Sequence, residues 1–350
     1  MTGLEFRPLG RTGIKVSSLC LGTMMYGDQM NETDARAQMD VASERGINFF
    51  DTAELYTVPP KPETQGNSER YVGQWIKDKG VRDKLILATK VAGRSRLDYL
   101  RDGGPVRVSP AQIKFAIERS LKNLQTDYID LYQIHWPDRL VPVFGADLGR
   151  YRHYPEDYES YQSILETLEE LRKSGKVRHF GLSNETSYGT MKFVQTAEQQ
   201  NLPRMVSIQN CYNLVNRTFE YGLAEVAMAE QVGLLAYSPI AQGALTGKYL
   251  DGGKPKGSRG EMFGRLDRYE TPSADVAIRA YVEVAQKFGI DPAALAMQFV
   301  TTRDWVTSNI FGANSMAQLE VIFDSLEVKW TDELNKAVNE IHAKWPNPCP

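Results

Sequence analysis

Residues 17–25 read Ser17-Ser18-Leu19-Cys20-Leu21-Gly22-Thr23-Met24-Met25, a short apolar run that stops at a glycine. An open doubly wound sheet would place a GxGxxG turn at this exit, and Leu21-Gly22-Thr23-Met24-Met25 holds none. Similar runs recur at 47–51, 85–90, 129–135, 179–183, 205–209, 234–238 and 306–311, making eight with the opening run at 17–23. They are continuously apolar rather than alternating, the pattern of parallel strands covered on both faces by crossover helices. Helical spacing fills the intervals at 32–45, 69–78, 110–124, 161–174, 187–200, 219–231, 274–302 and 316–326, with a final helix opened by Thr331. Ser109 before Pro110 marks a helix start, and Gly46, Gly80, Gly175 and Gly233 stand just past helical patterns. The expected fold is α/β, a (β/α)8 TIM barrel with long loops at the C-terminal face and an extra C-terminal helix. Such a barrel commonly takes roughly 250 to 400 residues, so one domain spanning 1–350 is expected.

The composition fits a chain that folds on its own: hydrophobic residues make up 42% and charged residues 24%. The formal charge of −3 is spread along the chain without a basic stripe, which argues against a nucleic-acid partner. Cys20, Cys211 and Cys349 are widely spaced, as reduced thiols are in the cytoplasm, and Cys211 reads as buried filler rather than a reactive thiol. The first residues lack a secretory apolar run and nothing resembles a membrane span, so a cytoplasmic protein without membrane partners is expected. His135, His153, His179 and His342 fall in no metal-ligand spacing, and no metal is expected.

Polar residues that end apolar strands carry the functional signal, because a buried charge needs a partner and the C-terminal rim of a barrel is where chemistry is built. The second run leads through Asp51-Thr52-Ala53-Glu54-Leu55 to Tyr56, the third ends at Lys90 and the fourth at His135. These four, Asp51, Tyr56, Lys90 and His135, are expected to converge. Two segments after strands, 137–158 and 240–272, exceed ordinary loop length and are expected to shape the mouth.

Seven strings in order, FFDTAELY, ATKV, DLYQIHWP, HFGLSN, VSIQNCYN, YSPIAQGALTGKY and GANSMAQL, resemble the aldo-keto reductase family from about Leu4 to the final helix. The likeness is greatest to the subgroup with a long loop after the fourth strand, which is related to potassium-channel β subunits. It implies an NADPH-dependent reduction of aldehydes or ketones, with Tyr56 as general acid, Lys90 lowering the phenol's pKa, Asp51 pairing with Lys90, and His135 orienting the substrate oxygen. It also implies a small carbonyl substrate and a monomer or homo-oligomer; a cofactor-holding regulatory subunit with weak turnover is the alternative.

For NADP(H), the resemblance implies that Ser183, Asn184 and Gln209 hold the carboxamide and Tyr237 stacks on the ring, although Ser183 and Asn184 equally suit a helix cap. The loop 238–259, with Ser238, Gly243, Leu245 and Lys248, would cover the pyrophosphate. The turn 312–318, with Gly312, Ser315 and Gln318, opens a helix whose N-terminus suits phosphate. Lys248 and Arg259 are candidates for the 2′-phosphate. Val321 and Ile322 stand where the family commonly has a Glu and an Asn against adenine.

Candidate substrate walls are Met25, Tyr26, Trp136, Tyr151 and Tyr154, with core packing an equal reading for Met25 and Trp136. Arg139 reads as solvent-facing rather than as a contact for an anionic substrate.

Overall fold

The period-two alternation of a strand decides what the barrel holds inside and what it turns to its helices. A computed structural model describes residues 3–142, 151–264 and 266–350. The barrel strands are β3 (Leu19–Gly22), β4 (Phe49–Asp51), β5 (Ile86–Val91), β6 (Ile129–Ile134), β7 (Val177–Ser183), β8 (Met205–Cys211), β9 (Gly233–Tyr237) and β10 (Val306–Phe311). They pair in parallel in that order, and β10 returns to β3 to close the ring. All eight expected runs are barrel strands.

Phe49 joins an inner cluster with Cys20, Ala88, Leu131 and Leu235, while Phe50 faces outward and stacks on Trp75 at 5.5 Å. Two residues further along, the interior changes from apolar to polar at Asp51, Lys90, Gln133 and Gln209. The barrel is thus filled by side chains at its base and by hydrogen-bonding groups at its rim.

A feature absent from the sequence reading closes the base. β1 (Phe6–Pro8) and β2 (Lys15–Ser17) form an antiparallel hairpin, whose Leu9 and Val16 are fully buried against that inner cluster. Gly10 makes its turn at φ +53°, and a Cβ there would stand 2.6 Å from the Val206 carbonyl oxygen at the start of β8.

The outer layer comprises α1 (Glu32–Glu44), α2 (Asn67–Lys79), α3 (Pro110–Leu124), α4 (Tyr161–Lys173), α5 (Ser187–Gln200), α6 (Leu223–Glu230), α7 (Arg259–Phe263), α8 (Ala274–Lys287), α9 (Pro292–Thr301), α10 (Met316–Asp324) and α11 (Asp332–Lys344). The stretch 274–302, read as one helical region, is two helices. Gly289 turns left-handed at φ +66°, and Asp291 caps α9 by accepting from the backbone N–H groups of Ala293 and Ala294 before Pro292 can extend the earlier helix. Gly233 also differs from expectation: Gln231 at φ +54° ends α6, and Gly233 opens β9 where a Cβ would collide with the Thr307 hydroxyl. Ser109 sits at the start of α3 without a side-chain capping bond, whereas Thr331 accepts from Leu334 N–H as expected. Among the described residues no helix is long and apolar enough to cross a membrane, and no group of three or more His, Cys, Asp or Glu is placed to hold a metal ion.

The two insertions differ. The segment 240–272 folds into short helical turns whose Ala241, Ala244, Leu245, Leu266 and Tyr269 are buried. In the segment 137–158, residues 143–150 lie outside the described residues, as does Arg265 in the other. The first insertion is tied at its base by Asp138, which accepts from Arg107 Nε at 2.7 Å, Val108 N–H at 3.0 Å and Glu159 N–H at 2.8 Å.

Candidate active site

Lys90 is the residue before the end of β5, on the inner face, beside Gln133 of β6 in the parallel register. Its ammonium is fully buried and donates to Asp51 Oδ2 at 2.5 Å, to the Thr52 carbonyl at 2.8 Å and to the Tyr56 hydroxyl oxygen at 3.1 Å. Each of its three protons therefore has an acceptor. The other carboxylate oxygen of Asp51 accepts from Gln133 Nε2 at 3.0 Å and Gln209 Nε2 at 2.9 Å, so the anion is both paired and hydrogen-bonded, as a buried charge must be.

Burial works against the ammonium, but Asp51 and then Tyr56 outweigh it and hold the Lys90 pKa above the usual lysine value. Tyr56 behaves differently from the expectation of a lowered pKa. Burial pushes the phenol up, Lys90 opposes this, and Asp51 and Cys20 add to the rise, leaving the pKa above its ordinary value. Burial, followed by the charge on Lys90, pushes His135 well below its ordinary value, so its imidazole is neutral at pH 7. The His135 ring meets Tyr56 edge-on at 5.6 Å and Trp136 at 4.9 Å, and its Nδ1 has no hydrogen-bond partner among the described residues.

At the next strand ends, Ser183 Oγ donates to the Gln209 carbonyl at 2.8 Å. Asn184, held at φ +52°, donates from Nδ2 to the His135 carbonyl at 2.9 Å and to Ser183 Oγ at 3.0 Å, while its Oδ1 accepts from Tyr237 OH at 2.7 Å. Neither caps α5, because Thr186 does so by accepting from Gly189 N–H. Gln209, expected at a carboxamide, has its amide nitrogen turned to Asp51 and Gln133.

Further along the rim, Ser238 is left-handed at φ +56°, Gly243 turns at φ +91°, and a Cβ on Gly243 would lie 3.0 Å from Lys248 Nζ. This open backbone with a lysine over it fits a phosphate-bearing chain. Leu245 sends its side chain into the core, and can face such a group only through its backbone. Half-buried Arg259 opens α7 and lies over Phe263. Exposed Ser315 and Gln318 cap α10: Ser315 Oγ accepts from Gln318 N–H, and Gln318 Oε1 accepts from Asn314 N–H. Gly312 is exposed beside Met25, while Ile322 is buried in the core beneath and cannot face a base.

The substrate walls need correction. Tyr26 is fully buried in the helix-side core, where its hydroxyl donates to Gln38, because the chain turns back at 23–30 instead of lining the mouth. Met25 is buried beside Gly312. Trp136 is half-buried and donates to the Arg94 carbonyl at 2.8 Å, next to His135. Tyr151 is 85% exposed, which does not make a wall, and Tyr154 is half-buried beneath Arg152. Arg139 is not solvent-facing: it pairs with buried Glu185 at 2.6 Å and so ties the β6 exit to the β7 exit. Cys211 is half-buried, with its sulfur 3.5 Å from the Tyr269 hydroxyl.

Two features escape sequence reasoning. One is the Gln133 and Gln209 clamp on Asp51; the signal available for Gln133 was its position two residues before His135, on the same face of the strand. The other is Glu54, which accepts both arms of Arg101 at 2.8 Å and the Ala92 N–H at 2.7 Å.

The model of the Aldo/keto reductase family matches residues 18–343. The chain belongs to the aldo/keto reductase family. This aldo/keto reductase is similar to Protein tas of Escherichia coli, at 43% identity over 347 residues covering 99% of this chain and 100% of that protein. It is also similar to the L-glyceraldehyde 3-phosphate reductase of Escherichia coli, at 29% identity, covering 91% and 86% of the two chains. A Schizosaccharomyces pombe protein named as a voltage-gated potassium channel subunit beta is 29% identical, covering 97% of this chain and 93% of its own.

Proposed function

We propose that this aldo/keto reductase uses NADPH to reduce an aldehyde or ketone to the alcohol, with Tyr56 as the general acid. The observation that carries the reading is Lys90 Nζ lying 2.5 Å from Asp51 and 3.1 Å from the Tyr56 hydroxyl in a buried rim. When bound, the reduced nicotinamide supplies a hydride to the carbonyl carbon. Ser183 and Asn184 are suited to hold its carboxamide, Tyr237 to support its ring, and Lys248 with Arg259 to meet the 2′-phosphate that separates NADPH from NADH.

A phenol with a raised pKa keeps its proton at neutral pH, which a proton donor needs. As that proton moves to the carbonyl oxygen, negative charge grows on Tyr56, and the neighbouring ammonium is in place to stabilise it. Asp51, fixed by two glutamines, keeps the ammonium charged and aimed. Neutral His135 can donate one ring N–H to the same carbonyl oxygen and hold it toward Tyr56. With Asp51, Tyr56, Lys90 and His135 all present and three of them linked, turnover is favoured over a purely regulatory role.

Tyr56→Phe removes the proton and keeps the ring. With benzaldehyde and NADPH, kcat is expected to fall by about 10²- to 10⁴-fold, while the NADPH Kd from fluorescence titration stays within about twofold of wild type, a difference too small to count as a lost contact. Unchanged turnover would remove Tyr56 from the mechanism.

A further inference from the structure

Two rungs join the exits of β6 and β7. In the inner one Asn184 Nδ2 donates to the His135 carbonyl at 2.9 Å. In the outer one the Arg139 fork closes on Glu185, with Nη2 2.6 Å from Oε1 and Nη1 3.3 Å from Oε2. The outer rung is a buried ion pair, its side chains 13% and 2% exposed. Desolvation takes back most of what such a pair gains by attraction, so it is poor evidence of added stability. The carboxylate also has partners without the arginine. Glu185 Oε1 accepts from the Thr186 N–H at 2.7 Å and from the Thr186 hydroxyl at 3.2 Å, at the N-terminus of α5, where negative charge is favoured.

The surroundings hold this pair in one place. Gly189 leaves room for it, since a Cβ there would collide with the Glu185 carboxylate. Arg139 Nη1 also donates to the Tyr161 hydroxyl at 3.0 Å and Nη2 to Thr186 Oγ1 at 3.2 Å, while Tyr161 sits edge-on against Phe193 at 4.8 Å. Asp138, one residue before the arginine, is anchored by Arg107 and Val108. The Glu185 carbonyl accepts from Asn210 Nδ2 at 3.0 Å, which brings in β8. Between these fixed points lies Asn184, left-handed at φ +52°. A residue with a side chain keeps that conformation where its surroundings enforce it. Both amide protons of Asn184 are used within the protein, on the His135 carbonyl and Ser183 Oγ. What Asn184 offers a carboxamide is therefore its oxygen, and the backbone turn decides where that oxygen stands.

We propose that Glu185, locked by Arg139, is a positioning residue for the nicotinamide end of the cofactor: it fixes the turn at Asn184 and, through Asn184, the carboxamide. It is no part of the proton-transfer set of Asp51, Lys90 and Tyr56. The inference rests on the reading of Ser183 and Asn184 as partners of the carboxamide, and its test separates failure of the one from failure of the other.

The double variant Arg139→Met/Glu185→Gln removes both charges together, so no bare ion is left buried and the amide still accepts from the Thr186 N–H. Calorimetry gives its Kd for NADPH and for 2′-phospho-ADP-ribose, which has every part of NADPH except the nicotinamide. A misplaced carboxamide partner should raise the NADPH Kd by about 5- to 10-fold, with the 2′-phospho-ADP-ribose Kd within about twofold of wild type. Unchanged binding of that fragment also shows that the variant is folded. A pair that serves the scaffold alone would shift both Kd values equally or neither, and either result overturns the proposal. Arg139→Lys keeps the charge and gives up the fork, so its NADPH Kd should fall between those of wild type and the double variant. Asn184→Ala tests the reading beneath. If it raises the NADPH Kd alone while the double variant does not, the role of Glu185 is overturned and the carboxamide reading stands. If Asn184→Ala leaves the NADPH Kd unchanged, the carboxamide reading fails and takes the proposal with it.

Discussion

Two buried ion pairs stand three residues apart along the exit of β4, and they are built for different work. Asp51 meets Lys90 inside the barrel; Glu54 meets Arg101 outside it. Both are almost wholly removed from water. Lys90 is a point charge with three donors, one of which reaches the Tyr56 oxygen. Arg101 is a fork whose arms close on Glu54, while its Nε donates to Gln112 and Nη1 also serves the Leu100 carbonyl, so its donors are spent on the scaffold. The difference teaches that burial of a charge does not by itself mark chemistry. What marks it is a donor left over for a group that can give up a proton.

The largest effect is expected from Lys90→Met. It leaves Asp51 buried without its cation, so unfolding free energy should drop by about 3–5 kcal/mol, and kcat should fall at least as far as in Tyr56→Phe. Denaturant titration and steady-state kinetics on the same preparation check both. Glu54→Gln should cost less, about 2–3 kcal/mol, because the amide still accepts from Ala92 and one arm of Arg101. Its kcat should stay within about threefold of wild type, since a scaffold pair removes no transition-state contact. A kcat loss as deep as that of Lys90→Met would break the comparison.

The smallest effect is on pH dependence, and it comes from histidines, among them His135 beside the inner pair. His135 has a folded-state pKa below its unfolded value, so the unfolded chain takes up the proton first as pH falls. Its contribution to stability is present above the unfolded value of about 6.5 and is lost below it, at up to about 1.4 kcal/mol per pH unit. His179 and His342 are lowered in the same sense. Thermal melts between pH 7 and 5 should therefore slope downward. The slope should be shallower in His135→Gln and unaltered in Glu54→Gln; an equal slope in the histidine variant would detach His135 from the inner pair.

The strands and the four rim residues are legible because each rests on a local pattern, an apolar run ended by one polar side chain. The clamp on Asp51 joins residues 82 and 158 positions apart, and the Glu54–Arg101 pair spans 47. No window of sequence contains such partners. Tyr26 follows an apolar strand just as Trp136 follows His135, yet one is core and the other borders the site, because the backbone after β3 turns back toward α1. The hairpin strands are three residues long, too short for alternation to register, and the 274–302 stretch keeps its helical spacing across a break that only Gly289, Asp291 and Pro292 announce.

The hairpin of β1 and β2 stoppers the far end of the cylinder with Leu9 and Val16. Whatever enters the molecule must therefore depart by the same doorway.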